Sequence, residues 1–324
     1  MPAQLMQPPF QLVFCGTPTF AVPTQERLVQ ADFAVQLVVT RPDKPKGRGM
    51  EMAVSPVKQA ATLLHLPIAQ PDTIKNNADF RGQLEALNPQ VIVVVGYGRI
   101  IPQWMIELPP LGNINLHSSL LPKYRGAAPV QWAIACGETV TGITTMRIDA
   151  GLDTGDLLRQ HEVPIASDDT AETLSPKLAV VGAHLMVETL LGLREKTICP
   201  LPQDHTRASL APILRKEDGQ IDFHRTAVEI YNRLRGFQPW PGAFTRFRGK
   251  QLLICSAKIA DLATTQLPGS LLTENNRLFV VCTDSVLELL DVQPEGKKRM
   301  SARDFINGYR PQPGEQLSAK LGQS

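Results

Sequence analysis

The side chains best suited to chemistry cluster in one stretch of the 324-residue chain, Asn113-Ile-Asn115-Leu-His117-Ser118-Ser119-Leu-Leu-Pro122-Lys-Tyr-Arg125-Gly126. Residues 114–117 read as a strand, so Asn115 and His117, two apart, point to one face while Leu116 points to the other. The end of such a strand delivers an amide and an imidazole side by side. An amide donor holds a developing oxyanion, and an imidazole passes a proton or polarises a carbonyl. An arbitrary Asn/His pair more often satisfies buried backbone groups. Here, however, a second segment, Asp149-Ala-Gly-Leu-Asp153-Thr-Gly155-Asp156, places a glycine-rich acidic loop just after the strand expected at 142–147. Asn115, His117 and Asp153, with no activated Ser or Cys nucleophile, suit transfer between two bound substrates rather than covalent catalysis.

The elements that must position these groups alternate along the first part of the chain. Residues 11–15 form a short apolar run that stops at Gly16-Thr17-Pro18, and a helix is expected from about Thr19 or Pro23. A second apolar run, 35–40, stops at Arg41-Pro42-Asp43. Ser55-Pro56-Val57-Lys58 reads as an N-cap with proline in the first turn, leading a helix through residue 65. A short strand at 66–70, a helix at 80–87 and the β-branched run Val91–Val95 follow. A run apolar on both faces marks a central parallel strand covered by helices. This alternation predicts a doubly wound, mostly parallel α/β sheet. Ligands of such sheets bind at the carboxyl ends of the strands, where Gly16-Thr-Pro lies. That turn is neither a dinucleotide fingerprint, since Pro18 and Ala21 stand where glycines would be needed, nor a Walker loop.

Residues 173–193 carry the longest helical periodicity, and 196–211 are aperiodic and read as a linker. A helix at 226–234 precedes short strands at 244–247, 251–259, 269–271, 277–282 and 285–292, the pattern of a small OB-like β-barrel. The expected division is therefore an α/β domain over 1–195, a linker over 196–211 and a β-barrel domain over 212–324. Composition agrees: 43% hydrophobic and 20% charged residues are ordinary for a globular protein and exclude a disordered or fibrous chain. Net charge is +2, with the chain from residue 208 onward mildly basic, which points weakly to an anionic partner. The dispersed Cys15, Cys136, Cys199, Cys255 and Cys282 have no metal spacing and read as reduced thiols. No leader pattern and no apolar run near the roughly 18 residues of a membrane span stands out, so a cytoplasmic location is expected.

His117-Ser-Ser-Leu-Leu-Pro122, Arg125-Gly-Ala-Ala-Pro129 and Gly151-Leu-Asp153-Thr-Gly155-Asp156 together resemble the tetrahydrofolate-dependent formyltransferases, and among them the branch acting on methionyl-tRNA. The resemblance extends to Gly16-Thr-Pro-Thr-Phe20, Arg41-Pro-Asp-Lys-Pro-Lys-Gly-Arg-Gly49, Ser55-Pro-Val-Lys58, Val95-Gly-Tyr-Gly98 and Arg235-Gly-Phe-Gln-Pro-Trp-Pro-Gly242, so it covers most of the chain. It implies a formyltransferase-type Rossmann-like domain, a 10-formyltetrahydrofolate donor and initiator methionyl-tRNA as acceptor; no metal, no membrane and a monomer are the accompanying expectations. It also maps the catalytic Asn, His and Asp onto Asn115, His117 and Asp153. Asp149 competes for the last role; the Leu-Asp-x-Gly frame favours Asp153. Ser119, Leu120, Leu121 and Pro122 match the segment lining the folate site, and Tyr97 and Gly98 lie where the pterin would approach the backbone.

A charge run is by default a solvated loop. The one holding Arg41, Lys44, Lys46 and Arg48 follows a strand end near the expected site, and the resemblance assigns it to the tRNA acceptor arm, with Arg48 as its key arginine. Arg246, Arg248 and Lys250 in one turn, and Lys297, Lys298 and Arg299 in another, would track the tRNA backbone. Two rivals stand. Formyltransferases for glycinamide ribonucleotide or sugar nucleotides, and formylfolate hydrolase domains, lack either a C-terminal domain of this size or this basic loop. A non-catalytic RNA-binding protein would have no use for Asn115, His117 and Asp153 together.

Overall fold

A computed structural model describes residues 10–46 and 51–318. The chain divides into two compact units. The first comprises the described residues up to Gly126, Thr141–Pro164 and Ser175–Leu210; the second comprises Ala127–Val140, Ile165–Leu174 and the described residues from Ala211. Besides a single turn at Gln103–Ile106, the α-helices among the described residues are α1 (Val22–Gln30), α2 (Pro56–Leu63), α3 (Ala78–Leu87), α4 (Pro129–Ala135), α5 (Ala171–Arg194), α6 (Ala227–Gly236) and α7 (Ala302–Tyr309).

The first sheet contains β1 (Gln11–Gly16), β2 (Ala34–Val39), β3 (Ile68–Ala69), β4 (Val91–Val95), β5 (Asn113–His117), β6 (Val140–Arg147) and β7 (Leu157–Pro164). Its seven strands lie in the order β7-β6-β5-β4-β1-β2-β3. The pairs β1/β2, β1/β4, β2/β3 and β4/β5 are parallel, and β5/β6 is antiparallel. The mostly parallel doubly wound sheet expected from the alternation is thus the one that forms. Strand order reverses between β1 and β4, which opens a crevice at their carboxyl ends. Every residue of β4 is buried. Val13, Cys15, Ile92 and Val94 share a core with Phe80 and Leu84, which stand four apart on one face of α3. Leu12, Phe14 and Val93 alternate with them and fill the opposite face. Ser55 caps α2 by accepting from the Lys58 amide at 3.1 Å, as the Ser-Pro pair predicts.

Helix α5 is long and apolar enough to cross a membrane by length and composition alone. Leu178, Met186 and Leu190 are instead buried inside the protein, and Thr189 Oγ1 meets Thr145 Oγ1 of β6 at 2.8 Å. It is the core helix of the first unit.

The second unit carries β8 (Ala243–Phe247), β9 (Lys250–Ala260), β10 (Leu271–Glu274), β11 (Arg277–Val281), β12 (Val286–Pro294) and β13 (Met300–Ser301). These six strands run in the order β8-β9-β12-β11-β10, with β13 on β12. The described C-terminal residues close this sheet toward a barrel: Leu271 N donates to Glu315 O at 2.8 Å, and Arg246 N and Ser318 O pair at 3.1 Å. Phe247, Ile254, Leu278, Leu289 and Val292 form its core with Ile230 and Leu234 of α6 and Phe305 of α7. One strand is displaced from expectation: β10 begins at Leu271, where the sequence pattern ended it. Glu274 pairs with Arg277 across Asn275 and Asn276, both left-handed (φ 50° and 61°), so the two asparagines make a two-residue hairpin that lengthens the strand.

Cys15 and Cys282 are buried, whereas Cys136 and Cys199 are exposed. Burial pushes the Cys15 thiol far up and the Cys282 thiol up to about 12. Since the thiolate is the reactive form, a thiol reagent should modify Cys136 and Cys199 in the native protein, and Cys15 and Cys282 only after unfolding. Mass mapping after a short native pulse checks this; early labelling of Cys15 would contradict the core described.

Candidate active site

Strand β5 leads to the mouth of the sheet beside the β1/β4 crevice. Its first residue, Asn113, is buried and used structurally: its Nδ2 donates to Met105 O (2.8 Å) and Ile106 O (3.1 Å). Asn115, two residues on, is half-buried, and its side-chain amide makes no hydrogen bond among the described residues. The same Asn-Ile-Asn run therefore divides into an anchor and a free donor.

His117 is only 6% exposed, and its two ring nitrogens have different surroundings. Nε2 lies 2.9 Å from Tyr124 O. A carbonyl oxygen only accepts, so Nε2 carries a proton. Nδ1 faces Asp153 Oδ2 at 3.7 Å, too long for a hydrogen bond but close enough for ionic attraction. Nδ1 is consequently the ring nitrogen left uncommitted to the backbone, and it faces the Asp153 carboxylate.

Asp153 adopts a left-handed backbone (φ 52°), uncommon without glycine but tolerated by aspartate. Its Oδ2 accepts from the Gly126 amide at 2.8 Å. Asp149, the competing carboxylate, points into its own loop: Oδ1 accepts from Gly151 N (3.0 Å) and Thr154 Oγ1 (2.7 Å). Close packing explains a glycine here. A Cβ on Gly155 would lie 2.0 Å from Arg147 O, which the strand cannot yield. Gly155→Ala should cost about 1–3 kcal/mol as overpacking, read as a lower denaturant midpoint; an unchanged midpoint would contradict this packing.

The residues expected to line a folate site divide by exposure. Ser119 and Leu121 are buried; Leu120 and Pro122 are half-buried. Ser119 Oγ donates to Lys123 O (2.6 Å), and Thr144 Oγ1 donates to Ser119 O (2.6 Å). Gln160 Nε2 donates to Leu121 O (2.8 Å). The Ser-Leu-Leu-Pro segment is thereby stitched to the strands beside it, and Leu120 and Pro122 are its available surface. Tyr97 is buried, so it can offer only backbone; its carbonyl accepts from Thr17 Oγ1 at 3.2 Å, joining the ends of β4 and β1. Gly98 is exposed, with φ 73°.

Of the basic residues, Arg41 is half-buried and Lys44 exposed, with Lys44–Lys46 paired to Glu51–Ala53 in a short hairpin. Arg48 lies outside the described residues, as does the Lys46 side chain. The base of this loop is held by Asp43, which accepts from Lys58 Nζ (2.5 Å) and Gln70 Nε2 (2.8 Å); the Lys58 bond, foremost, holds the Asp43 carboxyl below its usual range. That gives the Ser55-Pro-Val-Lys58 motif a second task beyond starting α2. In the second unit Lys250, Lys297 and Lys298 are exposed. Arg246 donates to Gly249 O at 3.0 Å. Arg248 forms a two-pronged pair with Glu315 (2.6 and 2.9 Å) and Arg299 pairs with Asp291 at 2.8 Å, so both have intramolecular partners.

Sequence reasoning gave no role to Arg125 and did not single out Gln203 or Ser209. Arg125 is buried, and its Nε and Nη2 donate to Gln203 Oε1 (3.2 and 2.7 Å). Gln203, also buried, donates through Nε2 to Asp153 O (2.9 Å) and Gly155 O (2.7 Å). Ser209 Oγ accepts from Tyr124 N at 2.9 Å.

A profile of the formyl transferase family matches residues 11–190, and one of the formyl transferase C-terminal domain matches 213–310. The chain is 64% identical over 307 residues to a methionyl-tRNA formyltransferase of Koribacter versatilis, covering 94% of this chain and 98% of that one. It is 57% identical over 310 residues to the enzyme of the same name from Acidobacterium capsulatum, covering 95% of this chain and 100% of that one. The fold is also that of an N-formyltransferase from Helicobacter canadensis in complex with folinic acid and dTDP-3-aminofucose, at 19% identity and a TM-score of 0.65, covering 88% of this chain and 99% of that one. With both profiles matched in order and near-complete alignment to these relatives, the chain belongs to the formyl transferase family.

Proposed function

We infer that this chain transfers the formyl group of 10-formyltetrahydrofolate to the free α-amine of initiator methionyl-tRNA. The observation that carries the reading is the identity it shares, over nearly its whole length, with methionyl-tRNA formyltransferases. We assign Asn115, His117 and Asp153 to the chemistry. The donor supplies the formyl carbon as an amide of its N10. The chain's own groups then act on oxygen charge and on protons. Asn115 Nδ2–H and the His117 Nδ1–H of the imidazolium are the donors for the oxygen that gains charge when the neutral amine attacks. Asp153 steadies that imidazolium. As the C–N10 bond breaks, His117 Nδ1 gives its proton to N10 and takes one back from the attacking nitrogen, so the amine's proton ends on the departing folate.

The folate surface in this reading is the backbone at Tyr97 and Gly98 with Ser119, Leu120, Leu121 and Pro122. The unpartnered Asn115 amide and the exposed left-handed Gly98 fit a flat, hydrogen-bonding heterocycle that carries an amide carbonyl beside it. The tRNA surface is the loop bearing Arg41, Lys44, Lys46 and Arg48, with Arg246, Arg248, Lys250, Lys297 and Lys298. The working division is a catalytic part over 1–195, a connecting segment over 196–211 and a tRNA-binding barrel over 212–324, acting in the cytoplasm.

The test is incubation with 10-formyltetrahydrofolate and charged initiator tRNA, followed by deacylation. N-formylmethionine is expected, and uncharged tRNA and glycinamide ribonucleotide should remain unmodified. Formylation of the ribonucleotide instead would overturn the acceptor assignment. Arg48→Ala should lower kcat/KM for charged tRNA about tenfold, the low end for a hydrogen bond to a charged group, with KM for the donor unchanged. Normal efficiency in that variant would remove the loop's role.

A further inference from the structure

The segment expected to be a featureless linker holds both partners of His117. At one end, Gln203 Nε2 bonds the carbonyls of Asp153 and Gly155, which flank the left-handed turn that aims the Asp153 carboxylate. At the other end, Ser209 Oγ accepts from Tyr124 N (2.9 Å), and Ser209 O accepts from Arg125 N (2.8 Å). Tyr124 is also left-handed (φ 61°) and presents the carbonyl that takes the Nε2 proton of His117. A left-handed backbone is strained in residues other than glycine, so both turns need outside support, and the same short segment supplies it. Arg125 fixes the Gln203 amide in one orientation: its guanidinium donates to Oε1, which leaves Nε2 to face the two carbonyls. His205 Nδ1 lies 3.1 Å from Arg125 Nη2 and steadies the same guanidinium.

We propose that Gln203 is a positioning residue for formyl transfer: by tying down the Asp153–Gly155 turn it sets the distance between the Asp153 carboxylate and His117 Nδ1. Gln203 is buried, and both ends of its amide are taken by groups of the chain itself. It acts on the rate through Asp153, and the proposal therefore rests on the role given to Asp153 above.

The expected signature is a loss in kcat without a rise in KM, coupled to Asp153. Gln203→Met keeps the side chain's length and removes both amide hydrogens; misplacing a reacting group by about 1 Å costs up to ~10²-fold, so kcat should fall about 10- to 100-fold. KM for both substrates and the affinity for charged tRNA should stay within about twofold, because binding surfaces are untouched. In an Asp153→Asn background, Gln203→Met should cost less than about threefold more, because the carboxylate it positions is gone. If Gln203→Met does not fold, Gln203→Asn, which keeps the amide and draws it back by one methylene, carries the same cycle. Losses that multiply, or a KM rise with kcat intact, would overturn the proposal and leave Asp153 standing. If Asp153→Asn alone turns over normally, the Asp153 assignment fails first and Gln203 has nothing to position.

Discussion

His117→Ala should cut formyl transfer at saturating substrates by about 10²–10⁴-fold, the range for removing a positioned acid or base. The reason is geometric. Its Nε2 proton is committed to Tyr124 O at 2.9 Å, and the Asp153 carboxylate stands 3.7 Å from Nδ1, so Nδ1 alone is equipped to hold and release a proton at the reacting group. The variant should still fold. It leaves one backbone carbonyl without a donor, which costs about 1–3 kcal/mol, against a core supplied by the strands on either side. Affinity for charged tRNA should stay within about threefold, since no tRNA contact is assigned to His117. Single-turnover rates with a filter-binding control separate the two. Turnover within a few fold of wild type, in a cooperatively folded variant, would defeat the assignment.

Asn115→Ala should cost about 10²–10³ in kcat, the usual effect of deleting one oxyanion donor. It should leave stability almost untouched, because the Asn115 amide makes no hydrogen bond among the described residues. Asn113→Ala is the matched contrast. It strips donors from Met105 O and Ile106 O in a buried setting, so it should lower the unfolding midpoint and spare chemistry in whatever fraction stays folded. Two asparagines two residues apart thus give opposite readings in the same pair of assays. A loss of stability with intact kcat in Asn115→Ala would contradict the donor role.

Much of the fold is legible in local sequence. Val91–Val95 announces a central strand because burial on both faces demands unbroken apolar residues, and every one of them is buried. Ser55 and the Thr226/Glu229 capping box mark helix starts whose partners lie three residues away. The placement of Asn115 and His117 on one face follows from the period of a strand, and the nearness of Asp153 from its place in the loop after β6. Helix α7 escapes a reading of the sequence although Ser301 caps it by accepting from the Asp304 amide, because eight residues give only about two turns of periodicity.

The remainder depends on pairs far apart in the chain. Gln203 meets Arg125 across 78 residues and the Asp153 carbonyl across 50. An aperiodic, proline-bearing segment satisfies its polar atoms through such partners rather than through its own neighbours, so no pattern exposes it. Arg248 is similar: it reads as a free cation until Glu315, 67 residues later, returns to pair with it.

The position of the formyl oxygen in a crystal of the protein with a formylated reduced folate is the most direct measurement of all. It should lie about 2.7–3.2 Å from Asn115 Nδ2, with His117 Nδ1 on the same side and Asp153 behind it. A formyl group seated more than about 5 Å from both, beyond any hydrogen bond, would contradict the convergence of the three side chains on one carbon.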